Sequence, residues 1–445
     1  MDLEERAGKI PLVPGDTPMV VDRAEGAYLY THDGRKLLDA AGGAIVGNIG
    51  YGRPEVAEVA AETMRKTSYV VPGTATEERM RLVERLVERW LPEGMTRCNF
   101  TTGGSESVDS AIRLARMHHL AAGRPERWKV IGRQISYHGV TLAALAVGGH
   151  EVRRAGYEPL LLDFPKAPPH YPLRCPIDHE HTSPDACGMA AADALEEVIE
   201  RAGPETVAAF IAEPVVGAAG AVLVPPQRYW ERVVEICRRY DVLVIADEVM
   251  CGFGRTGAKF AIDHFGVTPD IMTGGKGLAG GYMPIGGVYC TDEVVAPMAS
   301  SGHRLMFFTF GSHPVSCAVA DKVLEIMEDE HLVQRSADMG AKLNERLEVL
   351  EKHPHVAQVR GKGLFCGIEL VRDRDTLEPF GPDVRIHYEV MAEGAKRGVR
   401  LYPAGGGPVA ESILLGPPFI ITDEEVETIA GVLEESIDAA VAKAG

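Results

Sequence analysis

The sequence predicts an α/β protein: a large domain with a mainly parallel sheet flanked by helices, plus a smaller α+β domain built from both termini. Three observations carry this expectation. Apolar runs near 129–132, 207–212, 242–246 and 285–289 read as buried strands. Amphipathic helices over 106–121, 189–202 and 226–240 follow or separate them. The two ends of the chain break that rhythm, which sets the expected division: 1–65 and 315–445 form the small domain, 66–314 the large one.

Taken in order, the first element is a hairpin. Short apolar alternations flank the Asp33-Gly34 turn, running from Tyr28 to Thr31 and from Lys36 to Asp39. Helical spacing over 76–90 places Met80, Leu82, Val83, Leu86 and Val87 on one apolar face. The stretch 150–187 is rich in proline and polar residues and reads as a long surface loop. It holds Cys175, Asp178, His179, Glu180, His181 and Cys187, all metal-ligand types, without paired Cys-x-x-Cys or His-Glu-x-x-His spacing. No metal site is therefore expected. A long helical region over 315–353 leads into strands near 356–360 and 364–369. Gly405-Gly406-Gly407 reads as a flexible turn, and Thr422 with Glu425 forms the capping box that starts the last helix.

The 445 residues allow ample core, and 45% hydrophobic with 25% charged residues is ordinary for a soluble globular protein. The balance of 46 basic and 64 acidic residues, a formal charge of −18, opposes nucleic acid or an anionic membrane as main partner. A local cationic pocket stays compatible with it. The N-terminus is acidic without an apolar signal region, and no apolar stretch reaches membrane-spanning length. Eight scattered cysteines, several inside apolar runs (Cys237, Cys290, Cys317, Cys366), read as reduced thiols packed in a cytoplasmic protein.

Chemistry centres on Asp247 and Lys276. Asp247 lies one step beyond Val242-Leu243-Val244-Ile245-Ala246, at the strand end where open α/β sheets place ligands. Lys276 lies among Gly274, Gly275 and Gly277, so little backbone bulk crowds its amine. A pyridoxal phosphate enzyme needs such a pair. The lysine forms an imine with the cofactor aldehyde, and the aspartate keeps the pyridine nitrogen protonated. Capping a helix is the alternative role for Asp247, and Glu248 offers a second carboxylate beside it. Gly103-Gly104-Ser105-Glu106 precedes a helix, where free N–H groups and the positive helix end suit a phosphate; taken alone, Ser and Gly at a helix start are more often plain caps. Tyr137, in Ser136-Tyr137-His138-Gly139, is a candidate to stack on a cofactor ring, and Val249 a candidate to cover its other face.

These motifs and their order closely resemble the class III (ω-amino acid) aminotransferases, pyridoxal phosphate enzymes of fold type I. The order is Gly-Gly-Ser-Glu, Tyr-His-Gly, Ala-Glu-Pro-Val-x-Gly, Asp-Glu-Val-x-x-Gly-Phe-Gly-Arg-Thr-Gly, Lys-Gly-Leu, then Thr-Phe-Gly-Ser-His-Pro. The likeness runs from the hairpin near Asp33 to Pro417-Pro418-Phe419, nearly the whole chain. It implies a phosphate cup at Gly104 and Ser105, a stacking Tyr137 with His138 beside it, and Val249 packed on the ring. Asp247 is similar to the family's pyridine-nitrogen partner and Lys276 to its Schiff-base lysine. Thr309, after Phe307-Phe308, resembles the threonine that reaches the phosphate in the neighbouring subunit, which implies a homodimer and leaves tetramers open. Phe308 and Glu213 join the expected cofactor contacts.

In members that use 2-oxoglutarate, the glutamate at Glu213 pairs with an arginine shortly before the final proline motif. Here Leu414 falls at that place, and an apolar residue cannot hold a second carboxylate. The chain thus resembles the amine–pyruvate and β-alanine–pyruvate branch, with Arg400 as candidate carboxylate binder and Ile45 and Tyr69 as candidate pocket walls. The expected reaction is a ping-pong transfer of an amino group from an amine or ω-amino acid to a keto acid, favouring pyruvate. A 2-oxoglutarate-using aminotransferase, or a decarboxylase, racemase or aminomutase of the same fold, remains the alternative. A non-catalytic binding module is disfavoured by the joint presence of Lys276, Asp247 and Ser105.

Overall fold

Alternation along the buried strands builds the central sheet. The structure, a computed structural model, describes residues 3–10, 18–177, 183–381 and 383–444. Every residue of Val207–Ala212 is buried, with Ala209 and Ile211 in one core and Phe210 and Ala212 in another. Leu243–Asp247 divides the same way: Leu243 and Ile245 join the first core, Val244 and Ala246 the second. Successive side chains point to opposite faces, so a continuous apolar run demands cover on both. The helix Gly104–Ala121 brings Val108, Ala111 and Leu114 to one face, and Tyr229–Arg239 brings Trp230, Val233 and Ile236 to the other.

The seven strands lie in the order Met95–Thr101, Gly286–Thr291, Ile271–Gly274, Leu243–Asp247, Val207–Ala212, Lys129–Arg133 and Lys166–Ala167. Gly286–Thr291 runs antiparallel to both neighbours, while the other pairs are parallel. Its direction follows from its connection. Ile271–Gly274 leads into one 3-10 turn, Lys276–Leu278, and a glycine turn at Gly280 and Gly281, both at positive φ. Without a crossover helix the chain can return only antiparallel.

Both termini meet in one smaller sheet. Val21–Glu25, Tyr28–Thr31 and Lys36–Asp39 form the expected hairpin region, and Val399–Arg400 pairs in parallel with Lys36–Asp39. A second sheet pairs Val356–Gly361, Cys366–Leu370, Ser412–Leu415 and Tyr402–Ala404, all antiparallel. The last helix starts as expected: Thr422 N donates to Glu425 Oε2 (2.8 Å) and Glu425 N donates to Thr422 Oγ1 (3.2 Å).

Several elements differ from expectation. The 76–90 helix is regular over Glu77–Arg85 and then widens into a π turn, Leu86–Trp90; Met80 is exposed while Leu82 and Leu86 are buried. The 315–353 region is two helices, Pro314–Asp329 and Leu332–Leu347, separated at His331, whose φ of 51° lies outside helical space. Within 150–187 short pieces form, including the turn Glu151–Arg154 and the edge strand Lys166–Ala167. Asp178, His179, Glu180 and His181 lie outside the described residues. All eight cysteines are free. No helix among the described residues is long and apolar enough to cross a membrane.

A buried cation fastens the N-terminal segment to the rest. Arg255 donates to Leu364 O (2.9 Å), Pro417 O (2.7 Å) and Asn48 Oδ1 (2.7 Å), and Asn48 Nδ2 donates to Phe253 O (2.7 Å). Gly277 packs directly on this link: a Cβ there would lie 2.3 Å from Asn48 Nδ2 and 3.0 Å from Phe253 Cβ. Gly277→Ala should therefore cost about 1–3 kcal/mol through overpacking, read as a lower thermal midpoint. An unchanged midpoint would show that Asn48 yields freely.

Candidate active site

The carboxyl ends of the parallel strands converge on one cavity of about 430 Å³. Met95–Thr101 runs into Gly103-Gly104-Ser105, Lys129–Arg133 into Ser136-Tyr137-His138, and Val207–Ala212 into Glu213. Leu243–Asp247 ends on Asp247 itself, and Ile271–Gly274 precedes Lys276. Gly104, Ser105, Tyr137, His138, Glu213, Asp247, Val249 and Lys276 all line this cavity. Strand-end loops of an open α/β sheet gather because hydrogen bonding holds the strands in parallel register.

Asp247 is 3% exposed and held by three donors. His138 Nδ1 lies 2.6 Å from Oδ2; Thr273 Oγ1 (2.8 Å) and Val249 N (3.1 Å) donate to Oδ1. A carboxylate accepts, so the Nδ1 of His138 carries the proton. His138 Nε2 is buried without a partner among the described residues. Glu248 is turned away and accepts from Ile262 N (2.7 Å) and Ala261 N (3.0 Å). Burial pushes its carboxyl up to about 8. The adjacent carboxylates thus separate cleanly, one on the cavity and one in the core.

Lys276 adopts φ 42°, a left-handed conformation that a non-glycine residue holds only when its surroundings impose it. Its Nζ donates to Ala44 O (2.6 Å). Burial lowers the amine to about 8, helped by the charges of Arg153 and Arg255 and opposed by Asp247.

The remaining wall is polar near the helix start. Ser105 Oγ accepts from Val140 N (3.1 Å), which leaves its own hydrogen available as a donor. Glu213 accepts from Tyr137 N (3.0 Å) and Gly217 N (2.9 Å), and burial raises its carboxyl above the usual range. Among the described residues no arginine or lysine pairs with that carboxylate. Val249 packs against Gly104, where a Cβ would meet its Cγ1 at 2.5 Å.

Other expected site residues lie off the cavity. Ile45 is buried in a core with Leu414 and Phe365, and its neighbour Val46 forms the wall. At φ 59° the backbone of Ile45 is left-handed, which separates the two side chains in a way that spacing does not reveal. Arg400 donates to Asp39 Oδ1 (3.1 Å) and Gly43 O (2.8 Å), so it braces the loop beneath the cavity. Tyr69 is exposed, and its hydroxyl donates to Thr309 O (3.0 Å). Phe308 is partly exposed and Thr309 exposed on the same surface, away from this chain's cavity.

Residues 13–437 match the aminotransferase class-III family. The chain belongs to the class III aminotransferases. An uncharacterized aminotransferase of Bacillus subtilis is 39% identical over 424 residues, covering 94% of this chain and 91% of that one. A putrescine–pyruvate aminotransferase of Pseudomonas aeruginosa is 35% identical, covering 94% of this chain and 90% of that one. The ω-transaminase of Pseudomonas jessenii in complex with PMP superposes with TM-score 0.93 at 32% identity, over 100% of this chain and 99% of that chain. The class III aminotransferases have fold type I and depend on pyridoxal phosphate.

In this aminotransferase the sequence signals missed Thr273, Ala44 and Arg153. Thr273 reaches Asp247 only because neighbouring strands pair in register. Arg153 stands over Tyr137, with Cζ 4.6 Å from the ring centroid, from a segment without any motif.

In the cofactor-free protein Lys276 should release its proton near pH 8 instead of its ordinary 10.5. The measurement is amine labelling against pH, quantified on the Lys276 peptide; an inflection at the ordinary value would contradict it. Below about pH 8 the folded and unfolded chains both carry the ammonium, and its burial costs stability. That cost fades as pH rises towards 10.5.

Proposed function

We propose that the protein binds pyridoxal 5'-phosphate and moves an amino group from an amine or ω-amino acid to a keto acid, with pyruvate as the preferred acceptor. One observation carries the reading: a buried Asp247 with three donors and a depressed lysine amine share a single cavity. The donor set fits the cofactor. Ser105 and the first turn of Gly104–Ala121 suit a phosphate, Asp247 suits a ring N–H, and the Lys276 amine suits an aldehyde. A cavity of about 430 Å³ lies within the usual range for small-ligand sites.

When bound, the cofactor supplies an electron sink for the substrate carbon that loses its proton. The chain's own residues do the rest. Asp247, oriented by His138 and Thr273, places its carboxylate for the ring nitrogen. Tyr137 and Val249, both lining the cavity, would flank the ring. Lys276 would hold the cofactor through its aldehyde, and its amine, lowered by burial in this cavity, would take and return the Cα proton.

Pyruvate is favoured by what Glu213 and Leu414 do. The Glu213 carboxylate meets backbone N–H groups, and Leu414 is fully buried among apolar residues. A dicarboxylate would need a fixed cation at that place. We further read Thr309 and Phe308 as contacts to the cofactor of a second copy in a homodimer. The exposed Met306, Phe307 and Phe310 beside them support this. The pairing of Val399–Arg400 with Lys36–Asp39 supports a small domain of 1–65 and 315–445 beside a large domain of 66–314. A cytoplasmic location completes the proposal.

Lys276→Ala should lose both the visible absorbance of bound cofactor and turnover; full activity with added pyridoxal phosphate would refute the assignment. Asp247→Ala should slow turnover by about 10²–10³-fold, the scale of losing one fixed electrostatic partner. Incubation with amine alone should accumulate pyridoxamine phosphate stoichiometrically. Retention of the aldehyde form would instead indicate a decarboxylase, racemase or aminomutase. An acceptor panel checks the keto acid: higher kcat/KM with 2-oxoglutarate than with pyruvate would overturn the acceptor preference.

A further inference from the structure

Carboxylate recognition needs a cation that is close to the cavity and not already committed. The charges of Arg153 and Arg255 both act on Lys276. Arg255 is buried with three oxygen acceptors around it. Arg400 is held by Asp39 and Gly43. Arg133 is buried and donates to Glu213 O. Arg154, next in sequence, bonds three carbonyls: Leu145 O (2.7 Å), Ala146 O (2.9 Å) and Gly148 O (2.9 Å).

Arg153 differs from all of these. Its side chain is exposed, and among the described residues no carboxylate or carbonyl accepts from its guanidinium. It stacks over Tyr137, a cavity wall, with Cζ 4.6 Å from the ring centroid. Stacking on an aromatic face orients the planar fork while its N–H edges stay open. The turn that carries it, Glu151–Arg154, rests against the glycine turn: a Cβ on Gly406 would lie 3.8 Å from Val152 Cγ2, and one on Gly407 4.0 Å from Glu151 Cβ. Beside it His150, lowered by burial to about 4, is neutral at pH 7 and adds no competing charge.

We propose that Arg153 binds the carboxylate of the keto-acid acceptor on the Tyr137 side of the cavity, setting specificity for a monocarboxylate. The assignment rests on the aminotransferase reading above and deepens it. An exposed, stacked arginine gives one bidentate contact, which matches an acceptor with one carboxylate.

The test compares wild type, Arg153→Gln and Arg153→Lys, with a carboxylate-free aromatic amine as donor and either pyruvate or a carboxylate-free aldehyde as acceptor. Arg153→Gln should raise KM for pyruvate about 10- to 100-fold, the scale of a charge-assisted hydrogen bond. Any loss that comes from the altered Lys276 amine should fall alike on both acceptors, so the KM increase with pyruvate should exceed that with the aldehyde by about 10-fold or more. Arg153→Lys should fall between, because an ammonium keeps the charge without the fork. In cofactor-free Arg153→Gln the Lys276 titration should also move upward, since a neighbouring positive charge is gone. An unchanged pyruvate KM, equal losses with pyruvate and aldehyde, or an unmoved Lys276 titration would overturn the assignment. Failure of the wild type with both acceptors would overturn the aminotransferase reading and this inference with it; it shows before any variant is compared.

Discussion

A carboxylate sealed at the end of a central strand sets the layout of this molecule. Taking a charge out of water costs several kcal/mol unless donors replace the lost hydration. Asp247 finds them on three separate pieces of chain: His138 from the loop after Lys129–Arg133, Thr273 from the adjacent strand, and the backbone of Val249. Each donor must be in place at once. The register of Leu243–Asp247 with Ile271–Gly274 delivers Thr273, and the loop around Ser136 delivers His138. The cavity is the space these requirements leave between strand ends.

A second constraint comes from the opposite side. Lys276 sits in a strained backbone conformation on a connection too short for a helix, with its amine against Ala44 O. Ala44 is presented by a loop that Asp39 and Arg400 brace, and Arg400 belongs to the strand that closes the N-terminal sheet. Arg255 and Asn48 tie the same region to Phe253, Leu364 and Pro417. The small sheet thus helps to shape the lysine's environment, although Arg400 itself does not line the cavity.

Legibility tracked locality. The strands and the helices beside them were visible because their apolar runs and periodicities lie within a few residues, and the capping box at Thr422 is a local device. Gly104, Ser105, Tyr137, His138, Glu213, Asp247, Val249 and Lys276 could be named from their motifs, and they share one cavity. Ile45 and Val46 exchanged places because one left-handed residue decides which side chain faces the core. Met80 fitted the apolar face of its helix yet is exposed, since periodicity shows a face and not what covers it. Arg400 carried the right charge, but its commitment to Asp39, far off in sequence, depends on how the termini pair.

By itself the sequence determined the alternating strand–helix order, the glycine setting of Lys276, the strand-end carboxylate and membership of the class III aminotransferases. These are properties of contiguous residues and their order. Only the tertiary structure decided that Glu248 turns into the core while Asp247 faces the cavity, that Arg400 is a brace, and that Arg153 stands uncommitted over Tyr137. The physical reason is the same in each case. What a charged side chain does depends on which donors and acceptors reach it, and those arrive from distant parts of the chain.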